Sequence, residues 1–149
     1  MFHMKQKDAD AFHELTAGEE ESVVREPEAP YLIARVREGL PLAEFQALLD
    51  LLGLSEQRLA GLLDMSRATL HRRKKTGQLD RAESDRLVRY ARLFARAAAA
   101  LGGPEGARSW LVAPAVALQG ESPLDFADTE IGAREVENLL GRLQHGVFS

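Results

Sequence analysis

The chain has 149 residues, 45% of them hydrophobic, and no cysteine; this suits one domain or two small subdomains sharing a core, and it excludes disulfides and thiolate metal sites. No apolar run approaches the roughly 18 residues of a membrane helix, and "MFHMKQKDADAFHEL" lacks the apolar stretch of a secretory signal, so no membrane and a cytoplasmic location are expected. The net charge of -4 is segregated: residues 1–30 carry 3 basic and 8 acidic side chains, residues 54–92 carry 10 and 5, and residues 93–149 carry 4 and 7. A basic centre between acidic flanks favours a polyanion-binding module inside a larger body.

Residues 1–29 are polar and acidic and are expected to be a mostly disordered lead-in, with one local helical signal near Phe12–Leu15. Order is expected from "YLIARVREG", a short helix closed by Gly39. Pro41 suits the first position of the next helix, "PLAEFQALLDLLG", in which Leu42, Phe45, Leu48, Leu49 and Leu52 recur at helical spacing. Ser55 and Ser66 are N-caps for "EQRLAGLLD" and "RATLHRRKKT". Asp80 with Glu83 forms a capping-box pair opening a long helix, whose buried stripe is Leu87, Tyr90, Ala91, Phe94, Ala98 and Leu101. "PEGARSWLV" is a short helix carrying Trp110, a core or interface anchor. "APAVALQGESPLDFADT" reads as loop, with a cap and first-turn proline at Ser122 and Pro123. Thr129 then caps a last helix that Gly146 stops. No strand periodicity is present, so the fold class is all-α.

The stretch "SEQRLAGLLDMSRATLHRRKK" has the form of a helix-turn-helix. Ala60 is small where two helices cross, and Leu59, Leu63, Met65 and Leu70 lock the pair. Asp64 sits at the turn, which needs a left-handed backbone that aspartate tolerates. If Leu70 points inward, a 100° step per residue sends Ala68, Arg72 and Lys75 outward, flanked by Thr69 and His71. Arg67, Ala68, Thr69, His71, Arg72 and Lys75 are therefore the candidate DNA contacts, the small Ala68 allowing close approach to a major groove. Arg73 and Lys74 fall toward the core side and are expected to reach outward, toward phosphates.

No catalytic constellation is present: Glu135 and Glu137 lie on different helix faces, the four histidines are scattered, and no phosphate loop or nucleophile elbow occurs. Neither enzymatic activity, nor a cofactor, nor a metal site is expected. On the last helix Val136, Leu139, Leu140 and Leu143 form an apolar stripe. Arg134, Glu135, Asn138, Arg142 and Gln144 are left for a partner, together with the terminal Val147 and Phe148.

From about Tyr31 onward the chain resembles the Xre/MbcA/ParS family of bacterial antitoxins. The stretches that carry this are "VREGLPLAEFQALLDLLGLSEQRLAGLLDMSRATLHRRKKTGQL", "ESDRLVRYARLFARA" and, most specifically, "SPLDFADTEIGAREVENLLGRLQHGVFS". The resemblance implies a helix-turn-helix domain over residues 30–92, which represses its own operon, and an antitoxin domain over residues 93–149, which neutralises a RES-domain toxin that consumes NAD⁺. Asp64 and Arg73 depart from the family pattern, where a small turn residue and an apolar contact are usual. Binding to an inverted-repeat operator as a homodimer is expected, with Arg134, Glu135, Asn138, Arg142, Val147 and Phe148 as toxin contacts. Two other readings fit the residues: a stand-alone regulator whose C-terminal helices only dimerise, and an interaction module that has lost DNA binding.

Overall fold

The computed structural model describes residues 28–146. Among the described residues the elements are α1 (Glu28–Glu38), α2 (Leu42–Leu52), α3 (Glu56–Leu62), α4 (Arg67–Thr76), α5 (Arg81–Leu101), α6 (Pro104–Val112), a 3-10 turn (Val116–Leu118), α7 (Pro123–Phe126) and α8 (Glu130–His145). The expected all-helical fold is what these residues form. The helical signal near Phe12–Leu15 lies outside the described residues.

Local chemistry explains most boundaries. The side chains of Ser55, Ser66 and Thr129 each accept a backbone N–H three residues ahead, satisfying a donor the helix itself leaves unpaired. Asp80 and Glu83 make the reciprocal capping box at the head of α5. Three details differ from the sequence expectation. First, α1 begins at Glu28 rather than near Tyr31, because Pro30 falls in its first turn, where the missing N–H is no loss.

Second, Pro41 is the N-cap of α2 and not its first residue, with φ -64° and ψ 150°. That extended backbone pairs antiparallel with Gln78. Leu79 N–H donates to the Leu40 carbonyl at 2.8 Å, and Leu42 N–H to that of Gly77 at 2.9 Å. The crossing is tight: Gly39 has φ 101°, and a Cβ there would collide with the Leu79 carbonyl oxygen. Third, the 113–129 segment is more structured than a loop. Ser122 caps α7 through the Asp125 N–H, and Leu118 and Leu124 are buried. One-turn elements are too short for apolar periodicity to reveal.

The packing centres on α5, which lies against α1, α2, α6 and α8. One continuous core runs through it. Phe45 and Leu48 of α2, Leu59 and Leu63 around α3, Tyr90 and Phe94 of α5, Leu111 of α6, Leu124 of α7 and Leu140 of α8 all belong to the same buried cluster. Position 92/93 therefore falls inside a helix that both halves of the chain share. Trp110 packs half-buried at the edge of this core. No helix of the described residues is long and apolar enough to cross a membrane.

Candidate nucleic-acid and partner-binding faces

The α3–α4 pair is joined by a turn of four residues, Leu63 to Ser66. Asp64 has φ 61°, as the position demands, and Met65 N–H reaches back to the Ala60 carbonyl at 2.8 Å. Leu59, Ala60, Leu63, Met65 and Leu70 are all buried, which fixes the crossing of the two helices. Ser66 Oγ accepts the Thr69 N–H at 3.1 Å and donates to Thr69 Oγ1 at 3.0 Å, closing the start of α4.

Leu70 is the buried residue of α4. With it turned inward, Arg67, Ala68, His71, Arg72 and Lys75 are exposed and Thr69 is half-buried. Ala68, Arg72 and Lys75 thus lie opposite Leu70, with Arg67 and His71 on one flank and the half-buried Thr69 on the other. Arg72 makes only a long 3.5 Å approach to Thr69 Oγ1, a weak contact. Among the described residues no carboxylate pairs with Arg67, Arg72 or Lys75.

Arg73 and Lys74 do something else. Rather than reaching toward phosphates, Arg73 turns to the head of α5. Its Nε–H donates to Glu83 Oε1 at 2.8 Å, and its Nη2 donates to Glu83 Oε2 at 3.0 Å and to Asp80 Oδ2 at 3.2 Å. Lys74 Nζ donates to Glu56 Oε1 on α3 at 2.7 Å. The hydrogen bond from Lys74 holds the Glu56 carboxyl below the usual carboxylate range, and the bond to Glu83 holds the Arg73 guanidinium protonated still more firmly. The basic run therefore divides: two cations are neutralised within the protein, while His71, Arg72 and Lys75 face solvent. The carboxylates of the Asp80–Glu83 capping box thus also serve a partner outside their helix.

In the C-terminal half, Val136, Leu139 and Leu140 are buried and Leu143 packs partly against the core. The opposite face of α8 carries Arg134, Glu135, Asn138 and Arg142, all exposed. It also carries a residue that periodicity did not single out, Ile131, 79% exposed in the first turn. An isoleucine amid charges of both signs is a composition suited to a protein partner. Val147 and Phe148 lie outside the described residues. The two faces belong to one body: Arg58 of α3 pairs with Asp125 of α7 at 2.9 Å, and Tyr90 Oη of α5 donates to the Ala127 carbonyl at 3.3 Å. Burial pushes the Tyr90 phenol above its ordinary pKa, so it stays a donor there.

Two family models match successive stretches of the chain. Residues 32–92 match the antitoxin Xre-like helix-turn-helix domain, and residues 96–146 match the antitoxin Xre/MbcA/ParS C-terminal toxin-binding domain. The chain is 41% identical over 85 residues to an antitoxin Xre of Yersinia enterocolitica, a match spanning 56% of this chain and 57% of that relative. It is 31% identical over 124 residues to an antitoxin Xre of Photorhabdus laumondii, covering 80% of this chain and 82% of the relative. A Prs ADP-ribosylating antitoxin of a Sphingobium species is 24% identical over 127 residues, covering 78% and 80%.

Proposed function

The chain belongs to the Xre/MbcA/ParS antitoxin family, and from that premise we propose that it neutralises a RES-type, NAD⁺-consuming toxin and represses its own operon through α4. It is an antitoxin with a helix-turn-helix part and a toxin-binding part. The observation that carries the DNA reading is the division of charge on α4. Arg72 and Lys75 point outward without carboxylate partners, while the neighbouring Arg73 and Lys74 are neutralised internally. For the toxin, the name of the Sphingobium relative refers to ADP-ribosylation, a chemistry that draws on NAD⁺ and fits a NAD⁺-consuming partner.

One α4 reads few base pairs, so a homodimer with its recognition helices about 34–36 Å apart on an inverted repeat is the economical arrangement. Footprinting on the DNA upstream of the chain's own gene tests this. Two protected half-sites one helical turn apart are expected; an unprotected fragment rules the repressor reading out.

The two outward cations have different roles. Arg72→Ala is expected to weaken operator binding by roughly 1–3 kcal/mol with little change on random DNA, as for a lost base-edge contact. Lys75→Ala is expected to weaken both alike and to lower the log–log salt slope by about one. Titrations at several salt concentrations separate the two, and equal operator affinity for the Arg72 variant removes that residue from the site.

A further inference from the structure

We propose that Arg73 is a positioning residue that sets the angle at which α4 meets DNA, acting through Glu83 and Asp80 and not through phosphate. This rests on the DNA-binding reading above and deepens it. The starting point is how little apolar contact holds α4: Leu70 is its buried residue. With one buried knob of its own, α4 is anchored through the buried residues that flank it, Leu63 and Met65 before it and Leu79 after it, which hold its ends and leave its rotation about its own axis to other contacts. The backbone contacts of Gly77 and Leu79 with the segment leading into α2 fix where α4 ends, but they do not set which side of α4 faces outward.

The remaining tethers are polar and lie on two sides. Lys74 ties α4 to α3 through Glu56, a pair about two-fifths exposed at both partners and therefore weak and screened by salt. Arg73 ties α4 to α5, and this contact is of another kind. Two donors of one planar guanidinium meet two oxygens of one carboxylate, a fork that fixes direction as well as distance. The Glu83 side chain is 6% exposed, so water hardly competes. Its Oε1 also accepts the Asp80 N–H at 2.9 Å, which welds the fork to the first turn of α5.

The same geometry removes Arg73 from phosphate recognition. Its Nε and Nη2 are engaged, and with Asp80 and Glu83 it forms a cluster of net charge -1, which repels a phosphate. The preceding residue, Arg72, points to solvent and depends on the pose of the helix. Base-edge contacts tolerate errors of only about 0.5 Å or 10–20°. Loosening α4 therefore removes discrimination between sequences and leaves charge-driven binding intact.

The test uses the full chain, the duplex upstream of its own gene and a random duplex of equal length. Three variants are compared with the wild type: Arg73→Lys, Arg73→Met, and Arg73→Met with Glu83→Gln. The double variant leaves no buried carboxylate unpaired, so it folds even if Arg73→Met alone does not. Lysine keeps the charge but cannot form the fork. The operator-to-random affinity ratio is expected to fall roughly 5- to 150-fold in Arg73→Lys and in the double variant, the scale of one misplaced base contact. Amide exchange across α4 accelerates, and the salt slope stays at the wild-type value. An unchanged ratio in both folded variants overturns the proposal. So does a slope lowered by about one in the methionine variants and restored by lysine, which marks a phosphate contact. Wild-type protein that does not prefer the operator overturns the DNA reading itself, and the inference with it.

Discussion

Phe94→Ala is expected to weaken both functions together as temperature rises, at a cost of about 3–5 kcal/mol. Phe94 is 1% exposed and lies between residue 92, where the helix-turn-helix match ends, and residue 96, where the toxin-binding match begins. Its ring packs in the cluster that α2, α3, α6 and α8 all enter. A domain of this size has only about 5–15 kcal/mol of stability in total, so the loss is a large share of it. Thermal unfolding should remain one transition, displaced downward by roughly 10–20 °C. Two transitions, with only one displaced, identify two independently folding units and contradict a shared core.

The second large effect concerns the exposed face of α8. Reversing Arg134 and Arg142 to glutamate leaves the buried stripe of Val136, Leu139 and Leu140 untouched. Arg134 loses a long ion pair with Glu130 at 3.9 Å and Arg142 a favourable place in the last turn of α8, so each reversal costs the fold about 0.5–1 kcal/mol. If this face meets the toxin, complex formation weakens by about 2–4 kcal/mol, which is roughly 30- to 1000-fold, while operator binding is unaffected. Ile131→Asp removes the apolar centre of the same face and is expected to act in the same direction. Calorimetric titration of purified toxin with these variants checks both. Unchanged affinity places the toxin contact on another surface.

The chain's helices were readable because their signals are local. Ser55, Ser66, Asp80 and Thr129 cap the helices they were expected to cap, and Asp64 adopts the left-handed conformation that its turn position requires. Facing was also readable, since Leu70 and a 100° step place Arg72 and Lys75 outside. The fate of Arg73 and Lys74 was not. Their partners Glu83 and Glu56 stand 10 and 18 residues away, and only the packing of α4 between α3 and α5 brings them together. Pro41 was misplaced by one residue for a similar reason, because a pairing with Gln78 holds it extended. Ile131 escaped notice because an exposed isoleucine breaks the apolar pattern that marks a core stripe.

The shared helix gives the two faces a physical relation. α5 receives the Arg73 fork at its first turn and packs against α6 and α8 along its length. A partner seated on α8 is thus one helix away from α4, the helix proposed to meet DNA. The most direct test of the antitoxin reading is growth of cells expressing the toxin together with this chain. The intact chain should restore growth, and a chain truncated after Gln144, with its fold and operator binding retained, should fail to do so. Restored growth with the truncated chain contradicts neutralisation through the C-terminal end.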